Sequence, residues 1–168
     1  MTRYHSFSPI VGNDPKLLIL GTFPSPISRK KHEYYGNTQN SFWRIVSDIF
    51  SLPLINTDYE RKKKALCANR IALWDIVASC YVTGAADTGI KEPVFNDIMG
   101  FLSKYPGIRA IVFNGHNSHR FCKKHLGLIP VDSVILPSTS PANARYTYGW
   151  KLLKWKETFK IYLDDTQS

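Results

Sequence analysis

Four short apolar runs, Lys16–Gly21, Arg70–Val77, Arg109–Asn114 and Asp132–Leu136, show no regular polar alternation. A strand with one wet face alternates apolar and polar residues, so these runs predict strands covered on both sides. Helical spacing fills the intervals. "NSFWRIVSDIF" puts Phe42, Trp43, Ile45, Val46, Ile49 and Phe50 on one broad apolar face, with Asn40 placed to cap it. "EPVFNDIMGFLSKYP" predicts a helix begun by Pro93 and turned inward at Val94, Phe95, Ile98, Phe101, Leu102 and Tyr105. "HNSHRFCKKHLG" predicts a short helix closed by Gly127. "WKLLKWKETFKIYL" predicts a last helix with Leu152, Trp155, Phe159 and Tyr162 inward and Lys151, Lys154 and Lys160 outward. Strand–helix alternation of this kind gives an α/β fold, expected here as a three-layer α/β/α sandwich around a four-stranded, mainly parallel sheet. No linker, repeat or low-complexity tract divides residues 1–168, so one domain is expected.

In such folds ligands bind at the carboxyl ends of the strands. The four runs release "GTFPSP", "WDIVAS", "NGHNSH" and "LPSTSPANA", all small, polar or rich in Gly and Pro. Any one is an ordinary turn; four together point to a common cleft. Thr22–Asn40 reads as a long irregular loop, and long loops in compact domains are usually functional. Within it "EYYGNTQNSFW" offers tyrosines beside a glycine, then amides, suited to a slot for a planar ring. Phe42 and Trp43 read as core residues of the following helix, whereas Tyr35, next to Gly36, remains a candidate wall of the slot. Neither phosphate-cradling glycine motif is present, which argues against nucleoside triphosphate and dinucleotide sites. Serine-nucleophile chemistry has little support, because no histidine is placed for a triad.

Charge narrows the partner. Twenty-two Lys and Arg against thirteen Asp and Glu leave +9, which favours a polyanion, nucleic acid first and an acidic membrane surface second. No apolar run is long enough to span a bilayer, and "MTRYHSFSPI" lacks the apolar stretch of a signal peptide. An intracellular protein without a membrane partner is expected. Cys67, Cys80 and Cys122 have no paired spacing and read as reduced thiols. His116 and His119 share a helix without a third ligand, so no metal is expected.

"LLILGTFPSP", "EYYGNTQNSFWRI" and "LPSTSPANA" together resemble the uracil-DNA glycosylase superfamily, in motif order and spacing over nearly the whole chain. The Phe-Pro-Ser turn and the Pro-Ser-Thr-Ser-Pro loop are most similar to its hypoxanthine-DNA (deoxyinosine) glycosylase group. That resemblance implies a monofunctional hydrolase of base excision repair, working without a cofactor as a monomer on damaged DNA in the cytoplasm, or on the nucleoid of a prokaryote. Such an enzyme flips the damaged base, because the reacting carbon is inaccessible inside the stack.

By position, the resemblance places Tyr35 against the flipped base. It sets Gly21 and the backbone of Thr22 and Phe23 along the base edge, where N–H groups can hold charge on the leaving base. Asp75 and Asn114 fall where they could contact that edge, although strand-end residues of these types more commonly serve structure. Ser25, Ser138, Thr139 and Ser140 fall on the DNA backbone. Pro141, Ala142 and Asn143 form the loop that fills the vacated stack, with Arg145 beside the phosphates. The first turn lacks the Asp or Asn that orients water in strong uracil enzymes. In the hypoxanthine group an asparagine before Phe-Trp is the expected substitute; Asn40 stands there, and it reads equally as a helix cap. The last loop also lacks the histidine of the uracil enzymes.

Of the basic runs, Arg29–Lys31 is expected to contact DNA and Arg61–Lys64 to be solvated. Rival readings are a mismatch-specific uracil or thymine glycosylase and a non-catalytic nucleic-acid binding domain on the same fold.

Overall fold

A computed structural model describes residues 1–83 and 89–165. Four parallel strands, β2 (Leu17–Gly21), β3 (Ile71–Asp75), β6 (Ala110–Asn114) and β7 (Asp132–Leu136), lie in the order β3-β2-β6-β7. β2 is central, pairing Leu17 with both Ile71 and Ala110. Leu17 through Leu20 are fully buried, as their unbroken apolar run requires of a strand with two covered faces.

Strand pleat sorts the core into two layers. Leu17, Ile19, Ile71, Leu73, Ala110, Val112 and Leu136 face helices α2 (Phe42–Phe50), α3 (Tyr59–Ala68) and α6 (Tyr148–Leu163), through Phe42, Ile45, Leu66, Trp155 and Phe159. Leu18, Leu20, Ala72, Ile111 and Phe113 face α4 (Ile98–Lys104) and α5 (His116–Leu126), through Ile98, Phe101, Leu102 and Cys122. The three-layer α/β/α sandwich expected from the sequence is present.

Several elements differ from expectation. Arg70–Val77 is not one strand: β3 ends at Asp75, and the chain turns into β4 (Val77–Val82) of a second, antiparallel sheet. Backbone bonds from Ile76 N–H to Gly21 C=O and from Val77 N–H to Thr22 C=O fix that departure. This sheet, ordered β1-β4-β5 with β1 (Arg3–His5) and β5 (Ile90–Phe95), packs Val77 and Cys80 into the second layer. Pro93, Val94 and Phe95 therefore lie on an edge strand, where a residue without an N–H is tolerated; the helix begins later, with Asp97 as its cap. The irregular stretch also contains a helix, α1 (Pro26–Lys31), with Ser25 as N-cap and Pro26 in its first turn.

Arg61–Lys64 lies in α3, where Arg61 and Lys63 pair with Asp58 and Glu60 across one turn, as expected of a solvated face. Lys151, expected outward, is 6% exposed on α6, and its burial lowers the ammonium pKa. Lys151 precedes Trp155 by four residues and Thr158 by seven, which puts it on the buried face of the helix rather than on the surface. No helix among the described residues is long and apolar enough to cross a membrane.

Candidate functional site

The expected base-binding residues, together with Asn40, Ser25, Ser138, Thr139, Ser140, Ala142, Asn143 and Arg145, line one cavity of about 630 Å³ at the carboxyl ends of the parallel strands; Pro141 and Arg29–Lys31 do not line it. Its construction begins at Gly21. A Cβ there would lie 2.6 Å from Asp75 Oδ1 and 3.4 Å from the Tyr35 hydroxyl. The apolar run thus stops on glycine because a carboxylate and a phenol occupy the space where a side chain would stand. Asp75, 5% exposed, comes from the adjacent strand end. Its backbone C=O accepts from the Asn96 side chain, which holds the strand end in place. Thr22 is buried, and Phe23 turns its ring into the second core layer, so the backbone of this turn accompanies the cavity.

The tyrosine loop is held from several sides. Tyr34 is buried; its hydroxyl donates toward the Phe7 and Ser8 carbonyls, and Trp43 Nε1 donates to its C=O at 2.9 Å. Burial pushes the Tyr34 phenol far above its ordinary pKa, so it stays neutral. Tyr35 follows with φ 53°, a left-handed conformation uncommon outside glycine and seen where surrounding contacts overdetermine a residue. One face of its ring stacks on Phe42 at 4.2 Å, leaving the other to the cavity it lines. Gly36 closes the loop: its N–H donates to Ser28 Oγ, and its C=O accepts from Lys31 Nζ at 2.8 Å.

Asn114 joins this wall to the last loop. Its Nδ2 donates to the Tyr35 hydroxyl and to Thr139 Oγ1, both at 2.9 Å, while its Oδ1 accepts from Thr139 N–H at 2.9 Å. Thr139 also bridges to Ser41, whose backbone N–H and hydroxyl both donate to its C=O. At 1% exposure, the Thr139 side chain turns inward, whereas Ser138 and Ser140 on either side are partly exposed. Gly115, at φ 94°, must be glycine, because a Cβ would approach Ser138 Cβ to 3.0 Å. The 138–143 loop is folded on itself, with Asn143 Nδ2 donating to Ser138 C=O and Ser140 Oγ accepting from Ala142 N–H.

Asn40 reaches the cavity wall from the segment before α2, and its Oδ1 accepts from Phe42 N–H at 3.0 Å. The N-cap position itself belongs to Ser41, so Asn40 satisfies the first helical N–H from one residue earlier, with its amide hydrogens on the same group at the cavity. Ser25 caps α1 from the rim. Of Arg29–Lys31, the two ends serve the loop: Arg29 donates to Pro24 C=O at 2.7 Å and covers Tyr4, and Lys31 holds Gly36. Only Lys30 of that run is an exposed cation without an internal hydrogen bond among those described. Sequence reading missed other lining residues, chiefly His116, Tyr146, Trp150 and Lys154. His116 opens α5 directly after a strand end, a placement the strand-end rule could have flagged. Among the described residues no cluster of three or more His, Cys, Asp or Glu is arranged to hold a metal.

Compared with known proteins, no family model matches the chain. It is 33% identical over 158 residues to a hypoxanthine DNA glycosylase of Methanosarcina barkeri, covering 94% of this chain and 99% of that protein. A hypoxanthine DNA glycosylase of Methanosarcina acetivorans is 34% identical, with 92% and 96% of the two chains covered. In structure, the protein superposes on an NMR structure of a candidate uracil DNA glycosylase from Methanosarcina acetivorans with a TM-score of 0.82, at 32% identity, over 97% of this chain and 100% of that one. The chain belongs to the hypoxanthine DNA glycosylases of the uracil-DNA glycosylase superfamily.

Proposed function

We propose that this protein is a base-excision DNA glycosylase whose cavity receives hypoxanthine flipped from DNA and whose reaction is hydrolysis of the N-glycosidic bond. The observation that carries the reading is the convergence of Gly21, Tyr35, Asn114 and Thr139, from four separate segments, into one hydrogen-bonded slot. Tyr35, fixed by Phe42 behind it, supplies a flat face for a purine. The backbone of Thr22 and Phe23, with Gly21 below it, runs along the base edge beside Asp75, and Asn114 acts by holding Tyr35 in place. Ser25, Ser138, Ser140, Asn143 and Arg145 lie on the rim and engage the DNA backbone, and Pro141 and Ala142 enter the space left by the flipped base.

The bond between C1′ and the base nitrogen breaks with its electron pair on the base, where backbone N–H groups stabilise the developing charge. The cationic sugar is stabilised by the phosphates held at the rim. Water oriented by the Asn40 amide adds its hydroxide part to C1′, its remaining proton goes to the departed base, and an abasic site results. Because one chain contributes the whole slot, the enzyme works as a monomer, in the cytoplasm or on a nucleoid.

The test offers inosine-, uracil- and mismatched-thymine duplexes to one preparation and assays released base. Release from the inosine duplex is expected; preference for uracil or thymine would favour the mismatch reading, and binding without release the non-catalytic one. Asn40→Ala should slow single-turnover release about 100-fold while changing DNA affinity less than about threefold. Asn40→Ser retains an oxygen for the Phe42 N–H. Full recovery of release by serine would reduce Asn40 to a helix cap.

A further inference from the structure

At the mouth of the cavity, outside the slot, four neighbours on the folded surface set two adjacent rings between two cations. The Arg145 guanidinium lies 5.4 Å from the Tyr146 ring centre. The Tyr146 and Trp150 rings are nearly parallel, inclined 26° with centres 6.2 Å apart. Lys154 Nζ stands 4.6 Å from the Trp150 ring. All four side chains line the same cavity as Tyr35. Thr147 makes the arrangement possible: it caps α6 by accepting from Trp150 N–H, which sets Trp150 in the first helical turn beside the preceding Tyr146 and one turn before Lys154.

Tyr146 is 38% exposed and Trp150 43% exposed, whereas Trp43 and Trp155 are buried in the first core layer. A core has no use for rings so open. Besides the other ring, each meets a cation, Arg145 on Tyr146 and Lys154 on Trp150, and an exposed cation–π contact is weaker than stacking of a nucleobase on the same ring. Exchange therefore favours nucleic acid twice: a base takes the ring face, and the released Arg or Lys takes a phosphate and sheds counterions.

We propose that Tyr146 and Trp150 form a second nucleobase platform, which stacks an unpaired base neighbouring the flipped one on the same DNA strand. The proposal rests on the reading of this protein as a DNA enzyme and adds to it a grip on single-stranded DNA. A base still paired within a duplex presents only an edge, so the platform distinguishes unpaired from paired strands. Its continuity with the slot, and cations at both ends, suit a strand threading from one site to the other.

The test measures binding of the full chain to a fluorescein-labelled oligothymidylate and to an undamaged duplex of equal length, at low salt. Trp150→Ala, and separately Tyr146→Ala, should weaken single-strand binding roughly tenfold while changing duplex binding less than about twofold. Trp150→Phe should restore most of the loss. Because Tyr146 precedes α6, its variant reports on the platform even if Trp150→Ala unfolds the first helical turn. Equal weakening on both nucleic acids, or no weakening on the single strand, overturns the proposal. The probes contain no damaged base. Loss of single-strand binding in a protein that releases no hypoxanthine would thus refute the activity and leave the platform standing; intact release with unchanged single-strand binding would do the reverse.

Discussion

Strands β2, β3 and β6 are each preceded by a cation, Lys16, Arg70 and Arg109, and end at their other extremity on Gly21, Asp75 and Asn114. At the amino ends the cations share two carboxylates. Lys16 and Arg70 meet Asp14 at 3.0 and 2.7 Å, while Arg70 and Arg109 meet Asp165 at 2.6 and 3.1 Å. The two carboxylates stand in water while the cations are partly covered, so solvent and salt still screen the pairs and each adds little. At the carboxyl ends the bonds run between amide, hydroxyl and phenol in a half-buried wall, where a lost partner strands a polar group away from water. One end is an adjustable clasp and the other is a fitted surface. The same strands thus separate tolerance from function along their length.

Three substitutions can break or sharpen that contrast. The largest effect is expected at Gly21→Ala, whose methyl would displace the Asp75 carboxylate and press on Tyr35. Single-turnover base release should fall about 100-fold with a stability loss of only about 1 kcal/mol by urea unfolding. Retained release would mean that the fit at this strand end is looser than the distances imply. At the cavity rim, Arg145→Ala should raise KM severalfold at low salt and flatten its salt dependence, because one phosphate contact is removed. A drop in the single-turnover rate instead would move Arg145 inward, into the chemistry.

Asp165→Asn should have the smallest effect. Hydrogen bonds from Arg70, then from Arg109, hold the Asp165 carboxyl below its ordinary value of 3.8. A lowered folded pKa stabilises the protein above that ordinary value, and the contribution disappears as pH falls through the folded one. The difference in urea midpoint between variant and parent should therefore be slight at neutral pH, shrink further in high salt and vanish in acid, with base release unaffected. A large loss of activity would connect the two ends of the sheet.

The parts of the fold legible in the sequence were those whose burial leaves a run: three of the four parallel strands lie within a residue of the expected bounds. The second sheet was hidden because β1 has three residues, β5 is partly exposed without an apolar run, and Pro93 suits an edge strand as well as a helix start. α3 was hidden because only Leu66 of its ten residues is buried, which leaves almost no periodic signal. At the site, turns and strand ends gave the right neighbourhood. They could not give the Asn114 amide spanning Tyr35 and Thr139, since hydrogen bonds between distant segments leave no local pattern. Thr139 reads as one hydroxyl among three until its burial is seen. Tyr146 and Trp150 went unnoticed because their i, i+4 spacing straddles a helix cap and resembles an ordinary amphipathic stripe.

The bond from Ser41 to Thr139 joins positions 98 residues apart, and that from Asn114 to Tyr35 joins positions 79 apart. During synthesis, the tyrosine segment and α2 must wait for Asn114 and Thr139 to emerge before the bonds that close the slot can form. A half-made or prematurely terminated chain consequently cannot assemble a pocket able to attack genomic DNA, and competence arrives late, with completion of the fold.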